Sequence, residues 1–180
     1  MQKFRDNDIE GSIRDFDEAL AADARLKPYL WQRGLSLYYA GRHEEGATQF
    51  RDDVAVNPND TEESIWAFMC EAVLEGPDAA RAKMLVVGRD SRPYMRAAYE
   101  AFRDGSGASA IAAAAGPDPD AGPSFYAWLY VALYNEAHGD AGAAREAMLR
   151  AVGTRYAQGS GDYMADLAKV HCKQRGWGAA

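Results

Sequence analysis

The sequence predicts an all-α protein in which helices follow one another as antiparallel pairs. Helix-forming residues dominate the 180 positions, and no segment shows the alternating pattern of a β strand. Gly34, Gly46, Phe50 and Pro58 have the spacing expected of two helices that cross closely and then end. Related small and large residues recur one 34-residue period before and after this pair. We therefore predict a right-handed superhelix, a solenoid of about nine helices.

The best-defined pair covers residues 27–60. Small residues at Gly34 and Gly46 let the two backbones approach, and Phe50 fills the hollow one turn later. Between the helices, Gly41 supplies a residue that accepts the left-handed conformation of a tight turn. Pro58 has no backbone N–H and cannot continue a helix. The pair is therefore predicted to end there, and a new helix is predicted to start at Asp60, a good N-cap residue.

Upstream, residues 1–24 match only the second helix of such a pair. Ser12 and Phe16 precede the small and large residues of the best pair by thirty-four positions. The matching first helix would have to begin before Met1. We therefore expect the chain to start in the middle of a repeat, after trimming or processing, with an exposed face at that end.

Downstream of residue 60, the spacing of small and large residues in helical pairs is less regular. Residues 61–90 form a degenerate pair in which Ala80 and Met84 take the places of the small and large residues. The later predicted elements are a degenerate helical pair over 91–118, a full pair over 123–156 and a capping helix over 160–175 that has no partner helix. We expect all of these to form one domain over 1–180.

Composition narrows the classes of function. Hydrophobic residues make up 48% of the chain, which is enough for a core, but no apolar run reaches the 18 residues of a membrane-spanning helix. The net charge of −7 disfavours binding to nucleic acid, because attraction to phosphate needs basic density. We expect a soluble, intracellular protein of the cytoplasm or an organelle, whose targeting segment, if it had one, has been trimmed.

The sequence contains few residues in patterns typical of catalysis. Cys70 and Cys172 lie in helical patterns and are predicted to be buried thiols. His171 and Cys172 could form a thiolate–imidazole pair, but adjacent residues of a helix point about 100° apart. There is no glycine-rich phosphate loop and no Cys/His set at metal-ligand spacing. We therefore expect no enzymatic activity, no metal and no cofactor.

A partner would bind the first helix of each pair, because these helices line the concave side of such a superhelix. The apolar residues on those faces favour an amphipathic helix or an aromatic-bearing segment as the ligand. A second interpretation stays open, in which these side chains are core or are covered by the chain's own last helix. The predicted partner-binding residues are Trp31, Leu35, Tyr38, Tyr39, Ile65, Met69, Tyr99, Phe102, Tyr126 and Leu133.

The best pair resembles the tetratricopeptide repeat (TPR), whose pattern is W-x2-L-G-x2-Y…A-x3-F…P. Trp31, Gly34 and Tyr38 are similar to its first helix, and Gly46-x3-Phe50 followed by Pro58 is similar to its second. The resemblance implies a helical superhelix whose usual work is to hold other proteins.

A longer stretch, 27–172, resembles the bacterial NlpI-type TPR lipoproteins. The similar segments read RGLSLYYAGRHEEGA, NPNDTEESIWAFMCE and FYAWLYVALYNEAHGDAGAAREAMLRAV. That family implies an adaptor that brings a protease together with cell-wall hydrolases, often as a homodimer. This chain departs from the family because no lipidation cysteine lies near its start. The residues that carry the resemblance are Arg33, Gly34, Tyr38, Tyr39, Gly41, Arg42, Pro58, Asn59, Asp60, Ser64 and Trp66.

These observations lead to two expectations about function. The first is a non-enzymatic adaptor, scaffold or assembly factor that binds a polypeptide through its concave helical surface. The alternative is a structural subunit embedded permanently in a larger complex.

Overall fold

The computed structural model describes residues 1–178, and these form helices, turns and extended connections with no β strand among them. The all-α class is therefore confirmed. The helices outnumber the nine or so predicted, because several are only four to six residues long. The chain divides into two compact units, Met1–Asp90 and a second unit that begins at Ser91.

The first unit contains six α helices and one 3-10 helix, and residues 91–178 of the second contain six α helices. In the first unit they are α1 Gln2–Arg5, α2 Ile9–Ala22, the 3-10 helix Ala24–Tyr29, α3 Trp31–Tyr39, α4 His43–Val56, α5 Thr61–Glu75 and α6 Pro77–Ala82. In the second unit they are α7 Pro93–Asp104, α8 Ser109–Ala113, α9 Gly122–Ala137, α10 Ala141–Gly153, α11 Arg155–Gly159 and α12 Tyr163–Arg175.

α3 and α4 approach each other closely, as Gly34 and Gly46 predicted. A Cβ atom added to Gly34 would lie 2.6 Å from the ring of Phe50, which is fully buried. A Cβ atom added to Gly46 would lie 2.9 Å from the sulfur of Cys70 on α5. Gly41 turns the chain between the two helices with a φ of 74°. The small residues therefore set how near these helices lie, and the large one fills the space between them.

The first 24 residues contain one helix more than predicted. The predicted second helix is α2, and its Ser12 is buried with its hydroxyl 2.9 Å from that of Ser36 on α3. Before it, the four-residue helix α1 packs against α2 and buries Phe4 completely. Asp8 separates the two helices, because its side chain accepts the N–H of Gly11 and caps α2.

The third predicted pair, 61–90, has a complete first helix and a truncated second one. α5 starts where predicted, because the carboxylate of Asp60 accepts the N–H groups of Glu62 and Glu63 at 3.0 and 3.1 Å. Its partner α6 ends at Ala82, so the prediction that Met84 fills a helix crossing is wrong.

An extended segment, 83–88, replaces the missing part of that second helix. The carbonyl of Lys83 accepts from Arg51 Nη2 at 3.1 Å, and the carbonyl of Leu85 accepts from Ser64 Oγ at 3.1 Å. The N–H of Gly88 donates to the carbonyl of Pro58 at 2.9 Å. The segment therefore runs antiparallel to α5. Two adjacent valines and a glycine at 86–88 explain the lost helix, since these residue types are poor helix formers.

In the second unit, α9 and α10 form the helical pair expected over 123–156. Gly139 makes the turn with a φ of 81°, and Asp140 caps α10 by accepting the N–H of Ala143. Met148 of α10 is fully buried. The predicted capping helix is α12, which packs against α10 and α11. None of the helices within 1–178 has both the length and the apolar character that crossing a bilayer requires.

Candidate protein-binding surfaces

Six of the ten predicted partner-binding residues are buried within this chain. Their side chains are no more than 2% exposed, so they cannot touch a partner while the helices stay packed. Apolar stripes at helical spacing usually face a core, and these do. The buried residues are Leu35, Tyr38, Ile65, Met69, Phe102 and Leu133, and the four that stay partly exposed are Trp31, Tyr39, Tyr99 and Tyr126.

In the first unit, Tyr39 lies at the edge of a cluster of aromatic rings. Its ring centroid is 5.8 Å from that of Phe4, 5.2 Å from Tyr38 and 6.4 Å from Trp66. Tyr38 and Trp66 are buried, whereas Tyr39 keeps part of its surface exposed. Trp31 lies about two turns earlier on the same helix and is also partly exposed. α3 therefore presents two aromatic side chains, one of them held by rings on several sides.

In the second unit, Tyr126 belongs to a ladder of tyrosines. Its ring stacks on Tyr94 with centroids 5.5 Å apart and an interplanar angle of 20°. Its hydroxyl donates to Asp162 Oδ2 at 2.7 Å, and the hydroxyl of Tyr156 donates to the same atom at 2.6 Å. Burial and then the Asp162 carboxylate raise the pKa of Tyr156 to about 12. Asp162 therefore ties α9 and α11 to the start of α12, where it also caps the helix.

α12 also contacts the other end of the α9 face that the sequence placed in the groove. His171 Nε2 lies 2.8 Å from Glu136 Oε2, and Arg175 Nε donates to Glu136 Oε1 at 2.9 Å. Burial alone would raise the pKa of Glu136, but the hydrogen bond and charge of His171 and the charge of Arg175 hold it at about 2. The last helix therefore contacts α9 at both of its ends, through Tyr126 and Glu136, whereas the main packing partner of α9 is α10.

Tyr99 is the partly exposed aromatic residue of α7. The guanidinium of Arg103 lies 5.7 Å from its ring centroid, one turn further along the helix. Phe102, beside it on the same helix, is fully buried. Tyr99 therefore contributes an aromatic surface next to a positive charge.

The two thiols have the burial expected of structural cysteines. Cys70 and Cys172 are free and both are fully buried. Burial raises the pKa of Cys70 well above its usual range and that of Cys172 to about 11. The thiolate is the reactive form of cysteine, and at neutral pH these groups are thiols. His171 is paired with Glu136.

We expect neither thiol of the native protein to react with a thiol-directed chromophoric reagent at neutral pH. Both should react once the protein is unfolded in denaturant, because burial is what protects them. Absorbance of the released chromophore counts the reactive thiols in each state. Stoichiometric labelling of Cys172 in the folded protein would revive the idea of a nucleophilic cysteine beside His171.

A polar cleft in the first unit was not predicted from the sequence. It has a volume of about 350 Å³ and lies between the 3-10 helix, α3 and α4. We call it the Arg33 cleft. No sequence motif could have indicated it, because its lining comes from three elements whose residues are ordinary surface types. Its lining residues are Lys27, Arg33, Glu44, Glu45, Thr48 and Gln49.

Two carboxyl groups are buried where α4 ends and α5 begins. Asp53 is 1% exposed and Glu63 is 7% exposed. One oxygen of each, Asp53 Oδ2 and Glu63 Oε2, has no hydrogen-bond partner among residues 1–178. Burial raises the pKa of Asp53 to about 7, against the opposing hydrogen bond from Gln49. Burial and then the charges of Asp60 and Asp53 raise the pKa of Glu63 to about 8.

A smaller cleft of about 210 Å³ lies between α9 and α10. The guanidinium of Arg150 lies 3.7 Å from the ring centroid of Trp128, in a cation–π contact at the cleft's edge. Within residues 1–178, no group of three histidine, cysteine or acidic side chains converges as a metal site would require.

Comparisons with protein-family models, with curated proteins and with solved structures find no match to this chain.

Proposed function

We propose that this protein is a non-enzymatic adaptor that binds a polypeptide through partly exposed aromatic side chains, those of α3 in the first unit and, as a separate contact, Tyr99 of α7 in the second. The observation that carries the proposal is the position of Tyr39, which packs on three rings yet keeps part of its surface open. A ring held in this way loses little conformational entropy when a partner covers it. Trp31 and Tyr99 are two further partly exposed aromatic side chains that a partner could cover.

The helical packing supports this function through the TPR resemblance. The close contact of Gly34 with Phe50 is the one that the repeat pattern implies. A TPR-like superhelix with the first helices on its concave side is part of the proposal. The buried thiols, with pKa values above neutral pH, support a binding role over nucleophilic catalysis.

The test begins with affinity capture from cell extract and identification of the retained protein by mass spectrometry. The affinity of that purified partner is then measured for the wild type and for Tyr39→Ala and Tyr99→Ala. We expect each substitution to weaken binding about tenfold or more, as truncation of a buried aromatic anchor does. The sequence also suggested Tyr38, but this residue is buried, and its truncation would test stability instead.

Arg145→Ala provides the matched control, because Arg145 is exposed on α10, a second helix. Its affinity should equal that of the wild type. Equal affinity for all of these variants, with circular dichroism showing an intact fold, would reject the aromatic surface as the binding site.

The alternative function, a permanently embedded subunit, is favoured by one observation. The first unit exposes large apolar side chains, with Val86 88% exposed, Tyr29 64% and Val73 55%. Burial of these side chains against a partner would be favourable, because it removes apolar surface from water. Size-exclusion chromatography of the pure protein separates the two functions. A well-behaved monomer, or the dimer implied by the NlpI-type resemblance, favours the adaptor, and aggregation relieved only by co-expression favours the subunit.

A further inference from the structure

We propose that the Arg33 cleft binds the carboxylate of an acidic side chain on the polypeptide partner. This inference rests on the proposed function and names a chemical feature of the partner. Of the ten residues predicted from the sequence, none lines this cleft. It is therefore a second contact region, distinct in chemistry from the aromatic side chains of α3 and α7.

Arg33 has unused hydrogen-bonding capacity. A guanidinium carries five N–H donors. Arg33 Nε donates to Asp17 Oδ1 at 2.8 Å, and Nη1 lies 3.5 Å from Gln49 Oε1, at the long limit of a hydrogen bond. The guanidinium has no other acceptor among residues 1–178. Only 12% of the side chain is exposed, and Arg33 lines the cleft, so an acceptor placed there would meet these donors.

The guanidinium of Arg33 is held in place before a ligand arrives. Gln49 is 1% exposed, and its Nε2 donates to the carbonyl of Lys27 at 2.6 Å and to Asp53 Oδ1 at 3.1 Å. These two bonds fix the amide with its oxygen toward Arg33. Asp17 restrains the guanidinium at Nε. A preorganised donor pair costs less to use, which favours binding.

The charges around the cleft favour a carboxylate over a phosphate. Lys27 Nζ already lies 2.8 Å from Asp52 Oδ2, and Arg42 already donates to both oxygens of Glu45 at 2.7 and 2.6 Å. The cleft and these neighbours carry three basic and four acidic residues, a net charge of −1, which repels a dianion more strongly than a monoanion. A monoanionic carboxylate needs only the paired N–H groups of one guanidinium. The basic residues are Lys27, Arg33 and Arg42, and the acidic ones are Asp17, Glu44, Glu45 and Asp52.

The first experiment uses sodium propionate as a probe, because it carries the carboxylate of an acidic side chain. NMR spectra of ¹⁵N-labelled protein report the side-chain N–H signals of Arg33 and Gln49 during the titration. We expect saturable shifts of both signals with propionate. Propionamide and methyl phosphate, at matched ionic strength, should give no saturable shift at these positions.

Three variants test whether Arg33 and the charge around the cleft control propionate binding. Arg33→Gln removes the guanidinium and should weaken propionate binding at least about tenfold, as loss of a charge-assisted pair does. Glu44→Gln removes an exposed negative charge that has no partner within 1–178, and should strengthen binding severalfold. This second variant keeps the test valid if Arg33→Gln fails to fold. Glu146→Gln, at an exposed position in the second unit, is the control and should bind like the wild type.

Peptides identify the source of the carboxylate. An acetylated, amidated glycine pentapeptide with a central glutamate should bind more tightly than its glutamine counterpart with a free C-terminus, because two methylene groups carry the glutamate carboxylate away from the peptide backbone. Equal or stronger binding of the second peptide would overturn the acidic side chain as the ligand. Absence of saturable shifts with propionate, or no gain from Glu44→Gln, would overturn the cleft as a carboxylate site.

The two proposals fail separately. If a captured partner binds Arg33→Gln as tightly as the wild type but loses affinity for Tyr39→Ala, the adaptor stands and the cleft inference is wrong. If propionate binds but no partner depends on Tyr39 or Tyr99, the cleft is a carboxylate site and the proposed function is wrong.

Discussion

Gly34→Ala is expected to destabilise the protein by about 1–3 kcal/mol, the usual cost of overpacking a core. Alanine is the better helix former by about 1 kcal/mol, so propensity alone predicts the opposite sign. Packing should win because the added Cβ would lie 2.6–2.9 Å from three ring atoms of Phe50, which has no exposed surface into which to move. Urea unfolding followed by circular dichroism measures the change.

A double-mutant cycle isolates the contact. Phe50→Ala alone should cost about 3–5 kcal/mol through the cavity it leaves. In that background Gly34→Ala should become neutral or stabilising, because the clash is gone and part of the cavity is filled. The matched control is Gly142→Ala on α10, whose new Cβ would meet nothing closer than 3.6 Å. Additive effects of the two substitutions would show that Gly34 and Phe50 do not set the spacing of α3 and α4.

Stability is expected to fall as pH rises from about 5 to 8.5, because of Asp53 and Glu63. Their pKa values rise from ordinary values of 3.8 and 4.5 to about 7 and about 8 in the folded protein. The folded state therefore holds these protons more tightly than the unfolded state does. The stabilisation is complete below about pH 4 and is lost as pH rises through 7 and 8.

The size of this effect follows from the shifts. Each pKa unit corresponds to about 1.4 kcal/mol, so each group alone destabilises the folded protein by roughly 4–5 kcal/mol once ionised. Asp53 and Glu63 interact, and their effects on stability will not simply add.

Asp53→Asn and Glu63→Gln should each flatten the pH dependence of stability, measured by urea unfolding at about pH 5 and 8.5. Glu18→Gln, at an exposed position of α2, should leave the slope unchanged. A wild-type stability that stays level or increases over this range would contradict burial of these groups as acids.

Local chemistry was sufficient to predict much of the helical framework. Asp60 caps α5 as expected, because a carboxylate reaches the first N–H groups of its own helix. Gly41 and Gly139 make the turns between paired helices with positive φ. The contact of Gly34 with Phe50 was predictable as well, because a repeat pattern encodes which residues meet across one helical pair.

In the third predicted pair, 61–90, the local sequence pattern did not predict where the second helix ends. Ala80 and Met84 have the repeat spacing, but the chain leaves the helix after Ala82. Hydrogen bonds from Arg51 and Ser64 then hold the extended segment along α5. These bonds join residues 32 and 21 positions apart, so no window of sequence around Met84 contains the competing interaction.

The exposed binding surfaces were harder to predict from the sequence than the helices, because they depend on tertiary packing. Periodicity showed which residues share a helix face, but not whether another helix covers that face, so both core and surface positions were predicted as groove. α12 contacts both ends of the α9 face through Asp162 and His171. The Arg33 cleft and the buried Asp53 and Glu63 likewise arise where separate elements meet.

Helix formation is governed by neighbours three or four residues apart, whereas burial is governed by residues distant in the chain. The sequence therefore determined where most of the helices lie, and only the three-dimensional packing decided which side chains remain available to a partner.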